Sequence, residues 1–107
     1  MEPVALRAHP FLSSRGIKAT QAIFDCGNGF GLSVLNAKGP RLEHGVYCTD
    51  DTYEALLIRF NIRDEETNLF APYDFEWIGE PRGWLTIQQV GELADRIAVK
   101  GEAGWKS

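Results

Sequence analysis

The sequence predicts an α+β domain: an antiparallel sheet of four to five strands with one C-terminal helix packed on one face. Two observations carry this prediction. Residues 87–99 place apolar side chains on one stripe at helical spacing, and the segments before them are short, apolar and separated by turn residues. With 107 residues, 44% of them hydrophobic, the chain has the size of one small globular domain. We predict that residues 17–101 form this domain, with a flexible arm over residues 1–16 and a mobile tail over residues 102–107.

The first two strands are predicted as a hairpin over residues 18–36. Apolar, β-prone residues occupy both ends of this segment, and Gly27-Asn28-Gly29 lies between them. Asn-Gly between two apolar runs is the strongest short-range signal of a β-hairpin. Gly31, in the returning strand, indicates a bulge or the close approach of another part of the chain.

Residues 53–61 are the most apolar run, and they fit two structures. In a helix, one face of the run would consist of Tyr53, Leu56, Leu57 and Phe60. The strand formers Ile58 and Phe60 instead suit a central strand, which is the structure that we favour. A polar turn over residues 63–68 would follow it.

Aromatic and acidic residues alternate after Pro72, which predicts a strand over residues 69–78. Pro72 either makes it an edge strand or places a bend before it. Residues 79–83 then read as a turn that leads into the helix. We expect the aromatic side chains of this region to fill the space under the helix. They are Tyr73, Phe75, Trp77 and Trp84, and any of them left exposed would instead be a candidate anchor for a partner.

The helix over residues 87–99 has clear start and stop signals. Thr86 and Gln89 have the spacing of a capping box, and Gly101 has the place of a C-terminal glycine. Gly91 inside the helix costs about 1 kcal/mol relative to alanine. That cost predicts a close approach between the helix and the sheet at Gly91.

The reactive side chains do not form a pattern typical of catalysis or metal binding. Cys26 and Cys48 have no metal-ligand or redox spacing, so we expect buried free thiols. His9 precedes a proline and His44 follows a glutamate, and we interpret both as surface histidines. The serines lack the context of a nucleophile. We therefore predict a protein that is not an enzyme, with no cofactor and no metal site.

Charge is distributed unevenly along the chain. Residues 1–41 carry five basic and two acidic residues, a net charge of +3, whereas residues 43–80 carry ten acidic residues and two arginines, a net charge of −8. Such an acidic segment repels nucleic acid and attracts a basic surface. The candidate partner-binding residues are Asp50, Asp51, Glu54, Asp64, Glu65, Glu66, Asp74, Glu76 and Glu80.

Four motifs resemble a loose group of small bacteriophage and prophage proteins. They are NGFGLSV at residues 28–34, YEALL at residues 53–57, Tyr73-Asp74, and GWLT at residues 83–86. The phage proteins read NGYG, LYEVAV, Y-D and GWLT, and the match runs with gaps over roughly residues 24–98. This chain departs from them in its N-terminal arm and in the inserted acidic residues 64–68. The resemblance implies an origin in a mobile element, and small acidic phage proteins often act by binding a host protein, as inhibitors of CRISPR defence do.

We therefore expect a non-catalytic phage-derived protein that binds and inhibits a host protein with a basic, nucleic-acid-binding surface, foremost a CRISPR effector. It would compete with nucleic acid without binding nucleic acid itself, and it would act in the host cytoplasm. No apolar run approaches the roughly 20 residues of a membrane-spanning helix. The alternatives are a small-molecule binding module, with its ligand between the helix and the open sheet face, and an accessory structural protein of the phage. A homodimer through an uncovered sheet face or edge is also expected.

Overall fold

The computed structural model describes residues 2–38, 46–49, 51–61, 66 and 71–106. Its elements, in chain order, are β1 (Ala5–Ala8), α1 (Pro10–Ser14), β2 (Lys18–Asp25), β3 (Phe30–Lys38), β4 (Tyr53–Phe60), β5 (Phe75–Leu85), α2 (Ile87–Lys100) and α3 (Glu102–Lys106). The predicted α+β class is confirmed.

The strands of the described residues form one five-stranded antiparallel sheet, in which each strand pairs with the next along the chain. β1 and β5 are therefore its two edges. α2 lies across one face, called here the helix face, where Leu57 packs in one cluster with Ile97. The opposite face, called here the second face, holds a separate apolar cluster around Ile23 and Ile58.

The β2–β3 hairpin is confirmed. Gly29 has a φ of +86°, which a glycine adopts without steric cost. The Asn28 side chain donates a hydrogen bond to the Ile97 carbonyl at 2.7 Å, so the turn also satisfies an acceptor near the end of α2. A Cβ on Gly31 would lie 2.2 Å from the Phe24 carbonyl oxygen, which confirms the predicted close approach.

The run at residues 53–61 forms β4, so the favoured strand is confirmed. β4 pairs with β3 on one side and β5 on the other, and neighbouring residues Leu57 and Ile58 are both buried on opposite faces. A strand covered on both faces reads as a continuous apolar run, because neither set of alternating side chains meets water. This double burial explains why helix and strand were hard to tell apart.

Helix α2 begins with the predicted capping box. The Gln89 amide donates to Thr86 Oγ1 at 3.1 Å, and the Thr86 amide donates to Gln89 Oε1 at 2.9 Å. The expectation for Gly91 is wrong: no atom lies within 4 Å of the position of its Cβ, because the residue borders a groove. None of the helices in the described ranges is long and apolar enough to cross a membrane.

The predicted edge strand at residues 69–78 is confirmed from Phe75 onwards, but the predicted turn at residues 79–83 is wrong, because β5 continues through it as far as Leu85. Between Tyr53 and Leu57, β4 advances four residues while its partner advances seven, from Leu85 to Ile78. The three additional residues of β5 form bulges, which let a strand bend while its pairing continues. Residues 69 and 70 lie outside the described residues.

The predicted arm and tail both belong to the packed fold. In the arm, β1 pairs with β2, and Leu12 of α1 is buried in a cluster with Ala37. In the tail, Trp105 of α3 is 5% exposed and packs in the helix-face core. The Arg82 guanidinium lies 4.4 Å from the centre of the Trp105 ring and also donates to the Trp105 carbonyl oxygen. This cation–π contact holds the end of the chain on β5.

Candidate functional site

Strand β5 exposes large aromatic side chains at the edge of the sheet. Trp77 is 69% exposed and Trp84 is 55% exposed, so the expectation that they fill the space under α2 is wrong. Trp77 pairs with Ile58 and therefore belongs to the second face, where Phe75 packs in the cluster around Ile58. Tyr73 is also exposed. The period-2 pattern is confirmed for Phe75 and Trp77, but it directs both side chains away from the helix.

Trp84 is held in an uncommon backbone conformation. Its φ is +55°, in the left-handed region that few residues other than glycine adopt. The Trp84 amide donates to the Tyr47 carbonyl at 2.8 Å, and the two ring centres are 5.5 Å apart. A Cβ on Gly83 would lie 2.4 Å from Tyr47 Cβ, so only glycine lets the two segments approach this closely. The result is an exposed aromatic pair at one end of β5.

The predicted partner-binding carboxylates are spread over several elements. Glu76 and Glu80 lie on β5, Asp74 directly precedes it, and Glu54 lies on the neighbouring β4. The loop residues Asp51 and Glu66 are exposed. The remaining three lie outside the described residues; they are Asp50, Asp64 and Glu65.

Two of these carboxylates, one on β5 and one directly before it, already have partners within the chain. Glu76 forms an ion pair with Arg59 at 2.5 Å, in which both side chains remain more than half exposed. Asp74 accepts a hydrogen bond from the Asn61 side chain at 3.0 Å. An exposed ion pair contributes little to stability, so a basic partner can compete for Glu76 at low cost.

Glu54 is half-buried, and its carboxylate accepts a hydrogen bond from the backbone. The Tyr47 amide donates to Glu54 Oε2 at 2.7 Å. Burial raises the pKa of Glu54, and the hydrogen bond from Tyr47 opposes that shift in part. Glu54 belongs to the second face, whereas Glu76, opposite Arg59, belongs to the helix face. The carboxylates on the two strands therefore do not form one patch.

The second face contains a cavity of about 290 Å³. Its lining residues are His9, Gln21, Ser33, Leu35, Glu54, Leu56, Trp77, Gly79 and Pro81. Gln21 and Ser33 are 5% and 8% exposed, and they are polar residues in an otherwise apolar region of the sheet. Arg7 Nε donates to Gln21 Oε1 at 2.8 Å, and Gln21 Nε2 donates to Ser33 Oγ at 2.9 Å. We call this cavity the second-face pocket.

The bulges of β5 form one wall of the second-face pocket. Gly79, with a φ of +75°, and Pro81 lie in the additional length of β5 and reach the pocket together with Trp77. On the other side, His9 caps the N-terminus of α1: its Nδ1 accepts a hydrogen bond from the Leu12 amide at 3.3 Å. The pocket therefore combines a floor from β2, β3 and β4 with walls from His9 and from β5.

Sequence reasoning missed the polar floor and His9. Gln21 and Ser33 lie at alternating positions between apolar residues, and a polar residue at such an inward position is the signal that could have identified them. His9 is half-buried, so its interpretation as a surface histidine is wrong, and burial, with Arg7 nearby, lowers its pKa. His44 lies outside the described residues.

A more apolar groove runs beside α2 on the helix face. One part is a cavity of about 340 Å³ that includes Leu6, Val34, Tyr53 and Ile87 in its lining. A neighbouring cavity of about 130 Å³ shares Ile87 and reaches Gly91. The helix therefore leaves part of its own sheet face uncovered.

Both cysteines are free and buried, as predicted, and burial together with Asp25 and Asp95 raises the pKa of Cys26 to about 11. A thiol with so high a pKa is a poor nucleophile at neutral pH. Within the ranges that the structure describes, histidine, cysteine and carboxylate side chains form no group of three suited to hold a metal ion.

Comparison with known protein families, with curated proteins and with solved structures finds no match. Function is therefore inferred from the chain's own surfaces.

Proposed function

We propose that this chain is a non-catalytic, phage-derived protein that binds and inhibits a host protein, foremost a CRISPR effector, through its β5 edge. One observation carries the proposal. The edge strand that exposes Trp77 and Trp84 also carries the exposed carboxylates Glu76 and Glu80.

Exposed tryptophans support a protein interface, because Trp is among the residues that contribute most to binding energy at such interfaces. A soluble domain usually buries them. Trp84 is in addition held at positive φ, which costs of order 1 kcal/mol and persists only where the surrounding structure enforces it. Backbone strain that displays an aromatic side chain supports a binding role for that side chain.

Charge supports a basic partner. The segment from residue 43 to residue 80 has a net charge of −8, and its described carboxylates lie on β4, on β5 and in the loops next to these strands. An acidic edge of this kind is attracted to a surface that otherwise binds nucleic acid, and by occupying it would exclude the nucleic acid. Such effectors act in the host cytoplasm, and the proposal places the protein there.

The test is a binding assay of the full chain against a panel of purified CRISPR effectors. The double variant Trp77→Ala, Trp84→Ala should bind a responsive effector about tenfold more weakly or worse. The double variant Glu76→Lys, Glu80→Lys should lose affinity too, and the wild-type affinity should fall as salt is added. A third variant reverses Asp64, Glu65 and Glu66 to lysine, which tests the acidic residues before β5.

The matched charge control is the double variant Glu2→Lys, Glu92→Lys, which makes the same change in net charge on exposed positions outside β5. The matched apolar control is Val99→Ala on α2, since Val99 is also highly exposed. The proposal fails if no effector binds, or if the β5 variants bind as well as their controls do.

A second candidate function is the binding of a small apolar molecule in the groove beside α2. The observation that favours it is the open space next to Gly91, where no atom lies within 4 Å of the position of a Cβ and Gly91 lines the smaller cavity. A thermal-shift screen tests it, since a ligand that binds the native state raises the melting temperature. The variant Gly91→Leu, which places a side chain into this space, should abolish that rise.

A homodimer through the β5 edge is the competing use of the same surface. Light scattering of the free protein over a range of concentrations would detect it. Dimerisation that is lost in the Trp77→Ala, Trp84→Ala variant would assign the exposed aromatics to self-association.

A further inference from the structure

Among the described lining residues of the second-face pocket, Glu54 supplies the one carboxylate. Glu54 Oε2 accepts from the Tyr47 amide, while Oε1 has no hydrogen-bond partner within the described part of the chain. Ser33 Oγ accepts from Gln21 and keeps its own proton and a further acceptor site. The pocket therefore offers a negative charge and a hydroxyl, next to the Gln21 amide and the apolar side chains of Leu35 and Leu56.

The pocket wall is aromatic. Trp77 belongs to the lining and is 69% exposed on the second face of β5. Leu35 and Leu56 line the interior with methyl groups. The volume of about 290 Å³ is at the lower limit of ligand pockets, which hold about 300 to 1,000 Å³, and it suits a single side chain better than a nucleotide.

We infer that the second-face pocket binds the guanidinium group of an arginine side chain, with Glu54 as its carboxylate partner and Trp77 as its aromatic wall. A guanidinium is planar, stacks on indole and donates several hydrogen bonds in a fixed fork. The methylene groups of the same side chain would pack against Leu35 and Leu56. A lysine ammonium is a compact, strongly hydrated charge and stacks less favourably on the indole ring.

Arg7 and His9 lie near the pocket and do not oppose this ligand strongly. Arg7 is not part of the lining: its Nε is bonded to Gln21, and its guanidinium lies 3.9 Å from the centre of the Tyr73 ring. His9 is part of the lining, but burial and Arg7 lower its pKa, which favours the neutral imidazole at pH 7.

The source of the arginine rests on the proposed function, since a basic host protein would supply it beside the β5 edge. The affinity of the pocket for a guanidinium does not rest on it. The pocket can therefore be tested without any partner protein.

The experiment is an NMR titration of the full ¹⁵N-labelled chain with Nα-acetyl-arginine N-methylamide. The control probe is the corresponding citrulline derivative, which has nearly the same shape and no charge. Signals of Ser33, Glu54 and the Trp77 indole should shift with the arginine probe, and the citrulline probe should bind about tenfold more weakly.

Two variants test the assigned roles. Glu54→Gln keeps the size of the side chain and removes the charge, and Trp77→Leu removes the aromatic wall at an exposed position. Each should weaken binding of the arginine probe about tenfold, whereas Glu92→Gln, which changes an exposed carboxylate on α2 outside the lining, should leave it unchanged. The inference is overturned if the arginine probe shifts no pocket signal, if the citrulline probe binds equally well, or if both pocket variants bind as the wild type does.

The outcomes also separate this inference from the proposed function. If an effector binds the β5 edge and the arginine probe does not bind, the pocket assignment is wrong and the interface stands. If the probe binds and no effector does, the pocket stands and the proposed partner is wrong.

Discussion

The two faces of the sheet differ in what their buried residues do. On the helix face, Leu32 and Leu57 are completely buried against α2 and form an apolar core. On the second face, Gln21 and Ser33 are buried as well, yet they are polar and lie under an open pocket. Burial alone therefore does not identify the stabilising residues of this protein. The two faces predict different responses to substitution.

The largest effect is expected for Leu57→Ala on the helix face. Removing this side chain leaves a cavity under α2, and the free energy of unfolding should fall by about 2–5 kcal/mol. Urea denaturation measures it. The adjacent Leu56 lies on the second face and is only half-buried, so Leu56→Ala should cost clearly less. Equal costs at the two positions would contradict the difference between the faces.

Gly91→Ala should stabilise the protein by about 1 kcal/mol, because alanine has a higher helix propensity and a Cβ at this position meets no atom. Thermal unfolding measures it. The control is Gly104→Ala in α3. There the new Cβ would lie 2.3 Å from the Arg96 carbonyl oxygen, so this substitution should destabilise the protein. A loss of stability in Gly91→Ala would show that α2 covers the helix face more tightly than described.

A smaller effect, dependent on pH, is expected for Glu54→Gln on the second face. Burial raises the pKa of Glu54 in the folded chain, so the unfolded chain releases this proton at a lower pH. Stability conferred by the protonated carboxyl is therefore lost as the pH rises through the two pKa values. Glu54→Gln should raise the melting temperature at pH 7, and the gain should disappear below the unfolded-state pKa. An equal gain at both pH values would exclude ionisation as its cause.

The smallest effect on stability is expected for Trp77→Leu. Since Trp77 is mostly exposed, the free energy of unfolding should change by no more than about 0.5 kcal/mol in urea denaturation. The same substitution should weaken binding at the β5 edge. A large loss of stability would instead make Trp77 a packing residue.

Local signals predicted the parts of the fold that local forces determine. The Asn28-Gly29 turn and the Thr86 capping box were confirmed, because turn geometry and helix capping depend on residues close in sequence. β4 was recognised from its β-prone residues. The path of β5 was not, since its bulges depend on pairing with β4, and the glycines at 79 and 83 read equally well as a turn.

The candidate site was predicted less completely than the fold. Charge counting found Glu54 and Glu76, but it could not show that they belong to opposite faces of the sheet. The pocket joins β2, β3 and β4 with α1 and β5, and such a combination is set by tertiary structure. Gln21 and Ser33 were passed over because a single polar residue in a strand usually faces solvent.

The distribution of the three tryptophans gives this protein its own optical reporters. Trp77 and Trp84 face solvent on the proposed binding edge, whereas Trp105 is enclosed in the core against Arg82. Fluorescence of the native chain should therefore be dominated by solvent-exposed, red-shifted emission, and a partner that covers β5 should shift it to the blue. With both edge residues replaced, the remaining emission of Trp105 reports unfolding alone, so binding and folding can be followed separately without a dye.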